Sequence, residues 1–213
     1  MRAALAGAVV GLVATLLLAR ALGPEDHDPA PPQPSAAAAE AFLDGWARHR
    51  TETYVAEGTF TRTLDGQTAL QSAVRTAQRP PDRLEVQPGS ATGRRDGRRI
   101  ACAAEEDGSL SCRTGETVGP YEDAVEREVT ILREQVLGPR RLYDVTAEDG
   151  CFTLDLVAAF PAAPYGSRAR FCFDDATGAL RSSRVERGRA VDSIEVNTIR
   201  TSVTDEDLGT GQG

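Results

Sequence analysis

Four cysteines (Cys102, Cys112, Cys151 and Cys172) and two histidines (His27 and His49) are the residues of this 213-residue chain best suited to nucleophilic, redox or metal chemistry. Thiolate or hydroxyl catalysis needs a base beside the nucleophile, and a zinc site needs ligands at short, fixed spacings. Neither pattern is present. No two cysteines are spaced Cys-x-x-Cys, and no histidine lies near one in sequence. His27 sits between Asp26 and Asp28 in a proline-rich stretch, and His49 falls near the end of a predicted helix, where it is expected to face solvent. No catalytic centre, metal site or cofactor is expected from this inventory. The cysteines read better as bridges. Four cysteines allow three connectivities, and hairpin geometry favours Cys102–Cys112 with Cys151–Cys172.

The second of these pairs fixes a register. With Cys151 opposite Cys172 in an antiparallel ladder, Thr153 meets Arg170 and Asp155 meets Arg168 on the cystine's face. Phe152 meets Phe171 and Leu154 meets Ala169 on the other. A disulfide, an opposite-charge pair and an apolar face from one alignment mark a well-specified hairpin. The bridge is expected on the polar side, with Phe152, Leu154 and Phe171 turned toward whatever covers the sheet. In the first pair, a three-residue loop Glu106-Asp107-Gly108 brings Cys102 opposite Cys112, with Ile100, Ala104 and Leu110 on the bridge's face.

The elements that would carry these residues follow from periodicity. Ser35 is a good N-cap for a helix from Ala36 to about Arg50, with Phe42, Leu43 and Trp46 on one face. A period of two then predicts strands at Tyr54–Leu64, Leu70–Ala77 and Arg83–Gln87, the first ending at an Asp65-Gly66 turn. Gly93 to Arg99 reads as an arginine-rich turn, followed by the Ile100–Arg113 hairpin. Pro120 opens a second helix whose apolar stripe is Tyr121, Val125, Val129, Leu132 and Val136. Strands resume at Leu142–Thr146, Ala179–Glu186 and Ala190–Val203, and the acidic Asp205-Glu206-Asp207 tail is expected to fray. Hairpin-linked strands make an antiparallel sheet, and two helices must cover one of its faces. The predicted class is α+β: a strongly curved, unclosed β half-barrel with both helices on its concave face.

Residues Ala3 to Ala19 are uncharged and rich in Ala, Val and Leu. At ~1.5 Å per residue the run is near the lower limit for crossing a bilayer, and long for a signal peptide core of ~7–15 residues. Residues 1–22 are therefore read as a signal anchor or a signal peptide, 23–34 as a proline-rich linker, 35–208 as the exported domain and 209–213 as a flexible tail. Paired cysteines agree with an extracytoplasmic location: membrane-attached by a single pass, or secreted if the segment is cleaved. The net charge of -8, with all basic residues Arg and none Lys, argues against nucleic-acid binding.

The order of helix, six strands, helix and four or five strands resembles the LolA-like half-barrel group of lipoprotein carriers, mycobacterial glycolipid-binding lipoproteins and envelope-stress regulators. The Arg170–Leu180 segment, with its Asp175-Ala-Thr-Gly178 turn, is similar to a hairpin of that fold. The resemblance implies a hydrophobic cavity between sheet and helices. Phe42, Trp46, Val125, Leu132, Phe152, Leu154 and Phe171 are its candidate lining, and Arg94, Arg95, Arg98 and Arg99 are candidates for anionic headgroups at a membrane surface. The chain departs from the mycobacterial members in lacking a lipobox cysteine. A non-catalytic domain binding a lipid or lipidated ligand is one expectation. An envelope sensor or assembly protein binding another exported protein, its core filled, is the alternative. A continuous apolar cavity favours the first and a tightly packed helix–sheet layer the second.

Overall fold

The computed structural model describes residues 32–104, 110–158, 160 and 162–209. The apolar run, most of the linker and the Glu106-Asp107-Gly108 loop lie outside these residues. Among the described residues no helix is long and apolar enough to cross a membrane.

Helix α1 spans Ala36–Thr51. The Ser35 Oγ accepts from the Ala38 amide at 3.0 Å, supplying the expected N-cap. Six strands follow: β1 (Tyr54–Leu64), β2 (Gln67–Arg79), β3 (Asp82–Gln87), β4 (Ser90–Arg95), β5 (Arg98–Ala104) and β6 (Leu110–Thr117). After α2 (Tyr121–Val136) come β7 (Tyr143–Glu148), β8 (Cys151–Leu156), β9 (Arg168–Phe173), β10 (Leu180–Arg187) and β11 (Ala190–Arg200). All pair antiparallel in one unclosed sheet, ordered β6-β5-β4-β3-β2-β1-β11-β10-β9-β8-β7. The α+β half-barrel with two helices is the architecture expected.

Both disulfides form as paired by the hairpins, Cys102–Cys112 and Cys151–Cys172. Around the second, the predicted partners Thr153–Arg170, Asp155–Arg168, Phe152–Phe171 and Leu154–Ala169 are all observed. Arg168 and Asp155 form an exposed ion pair at 3.5 Å. The Asp174 carboxylate closes the following turn by accepting from the Thr177 amide and hydroxyl at 2.8 and 2.7 Å, and Gly178 takes φ +68°.

Two expectations are corrected. Gly93–Arg99 is not a solvated turn: Ser90–Arg95 and Arg98–Ala104 are strands joined at Asp96-Gly97, both with positive φ (51° and 69°). The correct turn signal is the Asp-Gly dipeptide, which the flanking arginines obscure. The acidic tail does not fray. Asp207 is buried, ion-paired with Arg200 and, at 3.2 Å, with Arg75, while Asp205 pairs with Arg79 at 2.7 Å. Burial alone would raise the Asp207 pKa, but hydrogen bonds from Arg200 and Thr204 outweigh it and hold it at about 2. These bonds seat Leu208, 2 % exposed, against Val55 and Ala77.

The register separates two rows of side chains that cross the same strands on opposite faces. One row runs Val55, Ala77, Leu84, Gly93, Ile100, and the tail covers its first members on the convex side. Cys102 packs beside it with Leu84, Ala91 and Ile100. The adjacent row runs Tyr54, Gln78, Arg83, Arg94, Arg99 and faces the helices. The main core lies instead under α1 and α2 over β7–β10, built from Phe42, Leu43, Leu132, Val136, Tyr143, Leu154, Phe171 and Phe173.

Candidate ligand-binding face

The polar row becomes a buried wall because helix α1 ends on it. A helix C-terminus leaves carbonyls without intrahelical partners. Here the Tyr54 hydroxyl donates to the His49 carbonyl (3.0 Å), and Gln78 Nε2 donates to the His49 and Glu52 carbonyls (3.1 and 2.6 Å). The Tyr121 hydroxyl donates to the Arg50 carbonyl (2.6 Å). Arg83 lies at the centre, buried, donating to Gln78 Oε1 and to Glu85 Oε1 through Nε (2.8 Å) and Nη2. The Arg83 pKa rises because the attraction of Glu85 and the Tyr54 oxygen outweighs desolvation, which alone would lower it. Burial would raise Glu85, but the Arg83 charge prevails and lowers it, so the pair is ionised.

His49 belongs to this wall, which corrects the expectation that it faces solvent: it is 7 % exposed. Its Nδ1 is 2.8 Å from the Tyr54 oxygen and its Nε2 3.3 Å from Arg83 Nη2. A guanidinium can only donate, so Nε2 accepts and the proton sits on Nδ1, which donates to Tyr54. The Tyr54 proton is then free for the His49 carbonyl, and every group in the set has a role. Desolvation, followed by the charges of Arg83 and Arg50, holds the His49 pKa well below its ordinary value. Burial raises that of Tyr54. The sequence offered one cue, the i, i+5 spacing of His49 and Tyr54 across the α1–β1 corner, which helical periodicity alone does not reveal.

Arg83 and Glu85 line two hollows, one on either side of the wall. The first, about 560 Å³, is a trough on the concave face of β1, β2, β10 and β11 that begins at His49, at the end of α1. Phe60, Val74, Ile194 and Val196 line it, each half-buried, and Leu70 lies at its exposed end. Its rim is ionic: Arg62 donates to both Asp192 oxygens at 2.6 and 2.8 Å, and Arg187 stands nearby. The second hollow, about 580 Å³, lies between β3–β5 and the start of α2.

The structure distributes the sequence candidates unevenly. Phe42, Leu132, Leu154 and Phe171 are between 0 and 5 % exposed, in the packed layer with Phe152 and Trp46 against them. Phe42 lies 5.8 Å centroid to centroid from both Trp46 and Phe152, and 5.9 Å from Phe171. Trp46 Nε1 donates to Glu128 Oε1 at 2.9 Å, joining α1 to α2. Val125 borders a separate hollow between the two helices, with Ala47 and Thr51 of α1 on one side and Tyr121 and Val129 of α2 on the other. The four arginines divide by strand alternation. Arg94 and Arg99 are cross-strand partners on the concave side and line the second hollow. Arg95 and Arg98 pair on the opposite face. The trough residues were missed because the period of two breaks in β11, which bulges at Asn197 opposite the Glu57–Gly58 step of β1, where a Cβ on Gly58 would lie 2.2 Å from the Glu195 oxygen.

No protein-family model matches the sequence, and no curated protein is similar to it at a significant level. Solved structures with a similar arrangement include the MucA/MucB complex of Pseudomonas aeruginosa (13 % identity, TM-score 0.47, covering 83 % of this chain and 62 % of that one). Others are the lipoprotein LppX of Mycobacterium tuberculosis (12 %, 0.40, 79 % and 97 %) and a LolA superfamily protein of Nitrosomonas europaea (7 %, 0.31, 80 % and 96 %).

Proposed function

We propose that this is a non-catalytic, extracytoplasmic binding domain that holds an apolar chain of a lipid or lipidated ligand along the concave trough. The observation carrying this reading is a hollow of about 560 Å³ with an apolar floor of Phe60, Val74, Ile194 and Val196 and an arginine-bearing rim. Ligand pockets commonly run ~300–1,000 Å³. The site proposed from sequence thus moves from the helix–sheet layer to the sheet beyond it. The N-terminal apolar run would tether the domain to the membrane, and Arg95 and Arg98 would face anionic headgroups there. Organic extracts of natively purified protein, analysed by mass spectrometry, should contain a bound lipid that Ile194→Trp excludes while leaving the circular dichroism spectrum unchanged. Absence of lipid from both proteins, with no saturable displacement of a fluorescent fatty acid, would count decisively against the reading.

The packing of Phe42, Leu132 and Leu154 to 1 % exposure or less favours a second reading, in which the same fold binds another exported protein with its helix–sheet layer filled. A trough that takes a peptide and rejects fatty acid in the same assay would select it.

A further inference from the structure

The second hollow carries an independent signal. Arg50, Arg83, Arg94 and Arg99 line it against a single carboxylate, Glu85, which Arg83 already engages. The Nε atoms of Arg50 and Arg94 are buried without a hydrogen-bond partner. Buried donors are nearly always satisfied, so two orphans in one hollow call for an acceptor. Arg94 has no carboxylate within ion-pair distance among the described residues, whereas Arg50 pairs with Glu128 at 3.2 Å and Arg99 with Glu116 at 3.4 Å. Both orphaned guanidinium groups lie near one ring: the Arg94 and Arg50 Cζ atoms are 5.7 and 6.0 Å from the Tyr121 centroid. Tyr121 and Ala124 bring the first turn of α2 to the same hollow, and its N-cap, Pro120, provides no side-chain acceptor. The positive end of a 16-residue helix therefore adds to the field. Glu122 and Asp123 of that turn are exposed and do not line the hollow.

We propose that this hollow binds a phosphate-bearing anion between Arg50 and Arg94, against Tyr121. An Nε–H engages an acceptor when the guanidinium is approached side-on, which suits an oxyanion presenting two oxygens at once. A tetrahedral phosphate has oxygens enough to serve both arginines. The site does not depend on the trough, since phosphate needs no apolar chain.

The full chain in a neutral maltoside detergent would be titrated calorimetrically with inorganic phosphate and, separately, with dihexanoyl phosphatidate. Trp46, the single tryptophan, provides a second readout, because Glu128 accepts from its indole and pairs with Arg50. Saturable binding is expected, weakened about tenfold or more by Arg94→Gln and by Arg50→Gln. Arg95→Gln, on the opposite face of the same strand, should leave it within about twofold. Tighter binding of phosphatidate than of phosphate identifies a lipid headgroup, and equal affinities identify free phosphate. No saturable binding of either probe, or equal losses from Arg94→Gln and Arg95→Gln, overturns the site. Loss of bound lipid in Ile194→Trp with phosphate binding intact separates this site from the trough.

Discussion

Protonation of His49 should be measurably destabilising. Both its ring nitrogens are committed, one to Tyr54 at 2.8 Å and one to a guanidinium donor at 3.3 Å. A second ring proton would aim an N–H at the Arg83 N–H and bury another positive charge. The folded-state pKa is depressed, so above the unfolded value near 6.5 the group costs nothing in either state. As pH falls through 6.5 the unfolded chain takes up a proton that the folded one refuses, and stability declines. The unfolded value alone sets a ceiling on the loss between pH ~7.5 and ~5.5 of about 1.4 kcal/mol, reached when the folded imidazole stays neutral throughout. Carboxylates contribute little here, because the depressed Glu85 and Asp207 exert their effect below their own unfolded values, near pH ~4. Urea unfolding of the oxidised protein, followed by Trp46 fluorescence at several pH values, measures the slope. His49→Gln can keep an acceptor for Arg83 and a donor for Tyr54, and should flatten the slope, by up to that amount, whatever its effect on absolute stability. Equal slopes in the two proteins would refute a neutral, buried His49.

Leu208→Ala should lower stability by about 2–4 kcal/mol in the same assay, since the side chain is 2 % exposed against Val55 and Ala77; a change under ~0.5 kcal/mol would mean that the tail does not seat in solution. Replacing both Cys151 and Cys172 by Ala opens a bridge of sequence separation 21 and should cost ~3 kcal/mol through the entropy of the unfolded chain. The urea midpoint should fall with that change while binding in the trough survives.

The half-barrel was legible because its signals are local. The Ser35 cap, the Pro120 helix start and the cystine-fixed register of β8 and β9 each depend on residues close in sequence or joined by one hairpin. Beyond the Asp96-Gly97 misreading, the errors share a cause. His49 looked exposed because its partners, Gln78 and Arg83, are 29 and 34 residues away on other strands. The tail looked frayed because its acids pair with Arg75, Arg79 and Arg200 on the convex face. Reading Asp205-Glu206-Asp207 as a solvated charge run is sound until three arginines converge on one spot. The packing of the helix–sheet layer was illegible for a related reason. Phe42, Phe152 and Phe171 have the right chemistry for a lining, and only their mutual distances show that they fill the space between helix and sheet.

The buried wall also accounts for where the trough begins. Apolar side chains at Tyr54, Gln78 and Arg83 could bury comparable area, and replacing a buried ion pair such as Arg83–Glu85 by well-packed hydrophobes is often neutral or stabilising. Hydrophobic contact is non-directional, however, and would let the end of α1 settle anywhere along the concave face. Carbonyls have direction. Donors from Tyr54, Gln78 and Tyr121 meet the carbonyls of His49, Arg50 and Glu52, so the last turn of α1 is fixed on β1 and β2. The helix therefore stops at the wall, and β1 beyond Ala56 is left without a helix above it. The uncovered stretch includes Phe60, with Ile194 opposite it on β11. The exposed apolar floor of the trough is thus the other side of a polar arrangement that holds the helix in place. Breaking that arrangement should change the shape of the trough before it unfolds the domain.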